Sequence, residues 1–423
     1  MSFGSLVLEK RLRFGMVRLG AIGLGNRACK YLKYLELDRE AAQLVAVADP
    51  DGFRRARVAA EFGVGERYAF ASAEELFGSD AGLDAVIIAS PDATHYPFAM
   101  AALAKGWHVL LEKPAALSLG DCLAMEKAAA EKNLTVSVCY VLRFHPLYLR
   151  LKEIAGAGDL GHIVSVHHIL NVGLDRMTHT FVRGLWSREE DSSPIILSKA
   201  SHDVDILCWI AGEKAVRVYS EGSLGLFTSR NAPDASSERC VDCPLERQCR
   251  FSAVDLYLRR DEWNNGFDVF PSETKADAVL RELHSGRYGR CAFRCGNDVL
   301  DRQSVRMVLE SGAEVLLEMD GRSDKDSRET TFIFEKGTVR TDGRNITVWR
   351  ADTGASEGYD MSGCCGGPLH SGADMAVVKD FMDAVGGRDR LHGADISSAL
   401  HSHQVCFLAE ESRRTGKPVC ISL

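Results

Sequence analysis

The chain has 423 residues, of which 46% are hydrophobic and 26% are charged, and this composition is typical of a globular protein with two domains. Its formal net charge of −8 disfavours a nucleic-acid-binding protein, which usually carries an excess of basic residues. Residues 1–15 lack the apolar core of a signal peptide, and no apolar run is long enough to span a bilayer. We therefore expect a cytoplasmic protein that binds neither membranes nor nucleic acids.

A glycine-rich turn follows the first apolar segment, residues 17–22, which predicts a β-strand. The pattern G-x-G-x-x-A then runs from Gly23 through Gly25 to Ala28, and a helix is predicted to begin near Asn26. In such a turn the first glycine permits the tight bend, the second lets phosphates approach the backbone, and the third position packs helix against strand. Free N–H groups at a helix start bind phosphate. The predicted dinucleotide site includes Gly23, Gly25, Asn26 and Arg27.

The next predicted strand, residues 43–48, ends at Asp49, roughly 20 residues beyond the turn. An acidic side chain at this position accepts hydrogen bonds from the ribose hydroxyls of an adenosine and repels the 2′-phosphate of NADP. Arg54 and Arg55 lie close enough in sequence to weaken that repulsion, although both also suit a solvated helix face. The sequence therefore predicts NAD, with NADP as the weaker alternative.

Predicted strands and helices alternate up to residue 139. After Asp49 they are a helix at 51–62, a short helix at 71–77, a strand at 84–89, a helix at 93–105, a strand at 107–111, a helix at 118–132 and a strand at 134–139. This alternation predicts a doubly wound parallel sheet, a Rossmann domain, over residues 16–140, after an extension at 1–15. Ligands of such sheets bind beyond the carboxyl ends of the strands. The predicted cofactor-binding residues at those ends are Ser90, Pro91, His95, Glu112 and Lys113.

The pattern changes after residue 140. Residues 161–169 alternate like a strand with one solvated face, and turns at Ser311-Gly312 and Lys336-Gly337 predict hairpins. Helical patterns return at 374–385 and 395–414. We expect a second α/β domain over 141–423 with an open, mainly antiparallel sheet that binds substrate, and an irregular, cysteine-containing insertion near 224–295.

These motifs resemble those of the Gfo/Idh/MocA family of nicotinamide-dependent sugar and polyol oxidoreductases. The likeness depends on the glycine turn with Asp49, Glu112-Lys113-Pro114, Arg143-Phe144-His145-Pro146 and His202-Asp203-Val204-Asp205, in the family's order across both domains. It implies that Lys113 lies in the active site with a cis bond to Pro114, and that His202 lies near the transferred hydride. It also implies a homodimer or homotetramer.

The segment around His202 carries the predicted proton-transfer residues. If the chain is helical from Ser198 onward, Ser198, Lys199, His202 and Asp205 share one helix face. A carboxylate one turn away from a histidine orients it and makes it more basic. Many relatives carry an acidic residue four positions before this histidine, where this chain has Ser198 followed by Lys199. The predicted catalytic residues are therefore Lys113, His202, Lys199 and Asp205, and which of them is the main base stays open.

The chain contains 13 cysteines and no secretion signal, so a disulfide framework is not expected. Cys240, Cys243, Cys249 and Cys291 combine a close pair with more distant partners, which suits a structural tetrahedral zinc site. Cys295 is an alternative to Cys291. Reduced buried thiols, or a redox or iron–sulfur role, are the other interpretations of this cluster.

The predicted function is NAD-dependent transfer of a hydride to or from a hydroxyl-bearing carbon of a sugar or cyclic polyol such as an inositol. A second hypothesis is an NAD-dependent glycoside hydrolase that works by transient oxidation and elimination. A third, of another class, is a non-catalytic NAD-binding sensor or regulator.

Overall fold

The computed structural model describes residues 16–264, 266–270, 272–364, 372–388 and 393–421, so the predicted extension at 1–15 lies outside the described residues. The described residues form two compact units. The first contains the described parts of Met1–His145 and Gly367–Leu400, and the second those of Pro146–Gly366 and His401–Leu423.

The first unit is built on a six-stranded sheet with the order β3-β2-β1-β4-β5-β6. All of its neighbouring strands are parallel. Its strands are β1 Val17–Ile22, β2 Ala42–Ala48, β3 Ala69–Phe70, β4 Ala85–Ile88, β5 His108–Leu111 and β6 Val136–Val138. Its helices are Asn26–Leu32, Tyr34–Leu37, Gly52–Phe62, Ala73–Gly78, Asp92–Ala104, Leu119–Glu131 and Ala373–Val385. The predicted doubly wound parallel sheet is confirmed.

Side-chain hydrogen bonds explain where two of these helices begin. The Asp51 side chain accepts hydrogen bonds from the N–H groups of Phe53 and Arg54 at the start of the helix Gly52–Phe62. Ser118 caps the helix Leu119–Glu131 through the N–H of Asp121 in the same way. Every residue of β4 is buried, as expected for a central parallel strand that is covered on both faces.

The boundary between the units differs from the predicted one. The first unit extends to His145 rather than to residue 140, and it also contains residues 372–388 and 393–400, which the sequence placed in the second domain. The physical reason is burial, because Ala373, Val377 and Phe381 belong to the same apolar core as β1. That burial stabilises a chain segment that is remote in sequence.

The second unit contains a nine-stranded sheet with the order β14-β13-β12-β11-β7-β10-β9-β8-β15. The pair β7 and β10 is parallel, and the other neighbouring strands are antiparallel. Its strands are β7 Ile163–Gly173, β8 Ala215–Ser223, β9 Arg302–Leu309, β10 Glu314–Ser323, β11 Ser327–Phe334, β12 Gly337–Thr341, β13 Asn345–Arg350, β14 Ser356–Asp360 and β15 Val419–Cys420. Its helices include Pro146–Gly156, Leu174–Arg176, Ile195–Ser198, Ser201–Ala211 and Lys275–Ser285, and the helix Ile396–Thr415 ends in it. The predicted mainly antiparallel sheet is confirmed.

The stretch between β8 and β9 includes residues 224–295, where the sequence predicts an insertion. It contains the helix Lys275–Ser285 and several single turns, and it has a small apolar core of its own. The members of that core are Cys240, Ala253, Leu256, Tyr257, Val279 and Leu283. No helix among the described residues is both long enough and apolar enough to cross a membrane.

Candidate active site

The two glycines of the turn have different roles. Gly23 has a φ of 80°, and a Cβ atom there would lie 2.6 Å from the backbone nitrogen of Ser90, so only glycine fits. Gly25 has an ordinary φ of −73°, and a Cβ atom there would meet no heavy atom within 4 Å. The backbone at the start of the helix Asn26–Leu32 is therefore open to an approaching phosphate. This arrangement fits the pyrophosphate of a dinucleotide.

Asp49 lies at the end of β2, as predicted, and it is buried. Its Oδ2 accepts a hydrogen bond from the N–H of Leu24 at 2.6 Å, and its Oδ1 accepts one from the N–H of Asp51 at 2.8 Å. The carboxylate therefore positions the glycine turn, a role that the sequence did not reveal. A carboxylate oxygen has further lone pairs, so Asp49 still has acceptor capacity for a ribose hydroxyl.

The segment after β4 is joined to the segment after β5 through a histidine. His95 is buried; its Nδ1 lies 2.6 Å from the Pro114 carbonyl oxygen and its Nε2 lies 2.9 Å from that of Ser90. Pro91 is the N-cap of the helix Asp92–Ala104. Because both nitrogens of His95 face backbone carbonyls, its contacts in this structure are those of a residue that positions these loops.

Arg27 and Glu112 meet in a partly buried ion-pair network. Arg27 donates through Nε to Glu112 at 2.6 Å and through Nη2 to Asp374 at 2.8 Å, and the Tyr31 hydroxyl also donates to Glu112. Burial alone would raise the pKa of Glu112, but the charges of Arg27 and Lys113 lower it below its usual value. Glu112 is therefore held as a carboxylate beside the predicted cofactor site.

Lys113 leaves the carboxyl end of β5 with its side chain half-buried. Its peptide bond to Pro114 is cis, so this expectation is confirmed. Its backbone N–H donates to Glu112 Oε2 at 2.9 Å. Lys113 thus extends from a backbone that the Arg27–Glu112 pair holds in place.

In the second unit, the predicted continuous helix from Ser198 is wrong. One helix ends at Ser198, and a second begins at Ser201. Lys199, between them, has a φ of −120° and a ψ of −59°, which are not helical values. Ser198 and Lys199 therefore do not share a regular helix face with His202 and Asp205.

Lys199 lies half-buried at this break, among other charged groups. Burial, together with the positive charges of Arg328 and Arg176, lowers the pKa of Lys199 to about 7, whereas Asp326 and Asp203 oppose the shift. An amine with this pKa exists in both protonation states near neutral pH, as a general acid or base requires.

We expect Lys199 to make the stability of the protein depend on pH. The unfolded lysine keeps its proton up to about pH 10.5, and the folded one loses it near pH 7. Between these values the unfolded state binds more protons, so the free energy of unfolding rises with pH. Lys199→Met removes this rise, which urea unfolding at pH 7 and pH 9.5 measures. Lys336→Met, at an exposed turn, is the matched control and keeps the wild-type slope. Equal slopes for Lys199→Met and the wild type would contradict the shifted pKa.

The sequence analysis missed a buried polar chain that starts at Asp203. Asp203 Oδ1 lies 3.0 Å from His168 Nε2, and His168 Nδ1 lies 2.8 Å from the Thr330 hydroxyl. Arg328 donates to both Asp203 oxygens, with Nη2 at 3.2 Å from Oδ2. Burial would raise the pKa of Asp203, but Arg328 and His168 hold it far below its usual range. Asp203 is therefore a permanent buried anion near Lys199.

His202 and Asp205 lie on the helix Ser201–Ala211, as predicted. His202 is half-buried, and Asp205 is buried and accepts a hydrogen bond from the Ser402 hydroxyl at 2.9 Å. The predicted role of Asp205 in orienting His202 stays a prediction.

The four cysteines predicted to bind zinc line one cavity of about 320 Å³ in the insertion. All four are free thiols. Cys295 is not in the lining, and its thiol donates to the Cys291 carbonyl at 3.1 Å. Within the described ranges of the chain, no group of three or more His, Cys, Asp or Glu side chains that could hold a metal ion is found.

A parallel sheet with a glycine turn after its first strand and an aspartate after its second defines a dinucleotide-binding Rossmann domain. Residues 17–140 match the Gfo/Idh/MocA family model, described as "Oxidoreductase family, NAD-binding Rossmann fold". Over residues 17–140, the likeness to this family that the sequence predicted is confirmed.

Relatives and solved structures extend this likeness. Inositol 2-dehydrogenase 1 of Saccharopolyspora erythraea is 35% identical over 204 residues, which are 48% of this chain and 56% of the relative. The scyllo-inositol 2-dehydrogenase (NAD(+)) of Bacillus subtilis is 28% identical over 217 residues, 49% of this chain and 58% of the relative. The chain thus spans about half the length of the curated relatives it matches. The crystal structure of scyllo-inositol dehydrogenase from Lactobacillus casei with NAD(H) and scyllo-inositol has a TM-score of 0.66 at 18% identity, over 96% of this chain and 99% of that one, which shows a shared fold.

Proposed function

We propose that this protein is an NAD-dependent dehydrogenase of a cyclic polyol, with an inositol as the substrate class. The glycine turn carries the proposal, because its open backbone and the Asp49 carboxylate suit NAD. The names of the inositol 2-dehydrogenases that match this chain support the choice of polyol. When bound, the nicotinamide of NAD supplies the hydride acceptor.

We propose that residues of this chain bind the reacting oxygen of the substrate and accept the proton of its hydroxyl group. Lys113 donates a hydrogen bond to the reacting oxygen and stabilises the negative charge that develops on it. A second group accepts the hydroxyl proton. Lys199 suits this step because its pKa is about 7, and His202 is the alternative acceptor. Asp205 is proposed to position His202.

A panel assay tests the function. The protein is incubated with NAD and with inositols, free sugars or aryl glycosides, while NADH absorbance and released aglycone are followed together. We expect NADH to accumulate in step with an oxidised inositol. Release of aglycone without net NADH would instead indicate the glycoside hydrolase, and NAD binding without any turnover would indicate the sensor.

The preference for NAD over NADP is proposed to depend on Asp49. Asp49→Asn removes the charge but keeps one acceptor oxygen, so we expect the ratio of kcat/KM for NADP to that for NAD to rise about tenfold or more. Asp51→Asn is the control, because asparagine caps a helix as well as aspartate does. An unchanged ratio in Asp49→Asn would show that Asp49 does not select the cofactor.

We further propose a homodimer or homotetramer in the cytoplasm. We also propose that Cys240, Cys243, Cys249 and Cys291 hold a structural metal centre in the insertion. A zinc ion, which their spacing predicts, and an iron–sulfur cluster are the two occupants that four thiolates suit.

A further inference from the structure

Four cysteines from three short segments line the cavity of the insertion. Cys240 begins a turn that ends before Cys243, and Cys249 directly follows the turn Glu246–Gln248. Cys291 comes from a segment about 40 residues further along the chain, and its N–H donates to the Glu238 carbonyl at 2.8 Å. Backbone pairing therefore places this distant cysteine beside the other three.

The size of the cavity indicates what kind of group could occupy it. A tetrahedral zinc ion holds its sulfurs at about 2.3 Å, so the four thiolates would converge on one point. These thiols instead line a pocket of about 320 Å³ that is partly open to solvent, and among the described residues no three ligand side chains are placed to hold one metal ion. The lining therefore suits an occupant of several atoms.

Buried hydrogen-bond donors contact one of these thiols. The Cys240 sulfur lies 3.4 Å from the N–H of Ala253 and 3.9 Å from Nη2 of Arg183. Arg183 is buried, and its Nη2 also donates to the Phe251 carbonyl, while its Nη1 has no hydrogen-bond partner within the described part of the chain. The positive charge of this buried guanidinium offsets part of the cost of placing thiolates and an anionic group there.

We propose that Cys240, Cys243, Cys249 and Cys291 ligate an iron–sulfur cluster in this cavity. Each thiol releases its proton when its sulfur bonds to iron, and the buried Arg183 offsets the negative charge of the thiolate-bound cluster. The cluster joins segments of an insertion that has only a small apolar core, so its role is structural. This inference deepens the proposed metal centre and is independent of the polyol and of NAD.

Metal analysis of the full chain, purified without oxygen, tests the proposal. We expect iron and acid-labile sulfide in equal amounts, about two or four of each per chain, with visible absorbance that bleaches on reduction. About one zinc and no iron per chain would overturn the cluster and keep the metal centre. A protein that contains neither zinc nor iron would overturn both the cluster and the metal centre. NADH formation with inositols, measured separately, reports on the dehydrogenase alone.

Single substitutions locate the ligands. We expect Cys240→Ser and Cys249→Ser each to lower the iron content of the soluble protein at least twofold, because a four-thiolate site loses a ligand. Cys295→Ser and Cys364→Ser keep the wild-type content, since neither cysteine lines the cavity. Equal iron in all four variants would overturn the assignment. If the ligand variants do not fold, the metal content of the wild-type protein still tests the proposed cluster.

Discussion

Lys113→Ala is expected to lower kcat for inositol oxidation by about 10²–10³-fold, the range that loss of one donor to a developing oxyanion usually costs. Lys113 leaves the carboxyl end of a central strand, where ligands of parallel sheets bind, and its side chain is half-buried. We expect the Kd for NAD to change less than about twofold, because the glycine turn and Asp49 are untouched. Steady-state kinetics and calorimetric NAD titration measure the two effects.

The comparison of kcat with NAD affinity distinguishes a catalytic role from a structural one. If Lys113 only stabilised the strand end, Lys113→Ala would weaken NAD binding or lower the unfolding temperature along with kcat. Lys105→Ala is the matched control, because Lys105 is an exposed lysine at the end of the helix Asp92–Ala104, and we expect wild-type kinetics from it. Unchanged kcat in Lys113→Ala would remove this residue from the mechanism.

Much of the structure of the first unit could be predicted because the sequence features that determine it are local. Gly23 is required by the backbone conformation at its own position, and Asp51 caps the helix that begins at the next residue. The central strand β4 is a short apolar run that is covered on both faces. Each of these features is set by neighbours in sequence or by periodicity, which a single sequence displays.

The position of residues 372–388 and 393–400 in the first unit could not be predicted in this way. Asp374 pairs with Arg27, 347 positions earlier in the chain, and Phe381 shares an apolar core with Leu19. An amphipathic helix shows that it must bury one face, but its sequence does not identify the surface that it meets.

The same limit explains why the sequence predicts Asp205, rather than Asp203, as the important carboxylate of this helix. Helical spacing places Asp205 on the face of His202, so it was the natural partner to predict. Alternation along β7 does place His168 on the buried side with Val166 and Leu170. However, only the pairing of β7 with β11 brings Thr330 opposite His168. A buried polar network is a property of tertiary pairing, so local patterns do not reveal it.

Asp203→Ala is expected to destabilise the second unit by about 3–5 kcal/mol, because it removes the acceptor from a buried charge network. Arg328 would lose a carboxylate that accepts from two of its nitrogens, and His168 would lose the partner of its Nε2. The lowered pKa of Asp203 sets the pH window. The carboxylate's stabilising effect is complete above the unfolded pKa of about 3.8 and decreases as pH falls below that value. We therefore expect the largest difference from the wild type at neutral pH.

Urea unfolding at pH 7 and pH 3 measures this effect, and a second aspartate provides the control. Asp326 also pairs with an arginine, Arg176, but both side chains are more than a third exposed, so Asp326→Ala should cost about 1 kcal/mol or less. Asp203→Asn keeps the volume of the side chain but not its charge, and we expect it to be nearly as unstable as Asp203→Ala. If Asp203→Ala lowers the free energy of unfolding no more than Asp326→Ala does, solvent also screens the Asp203–Arg328 pair. That result would contradict the burial of this pair.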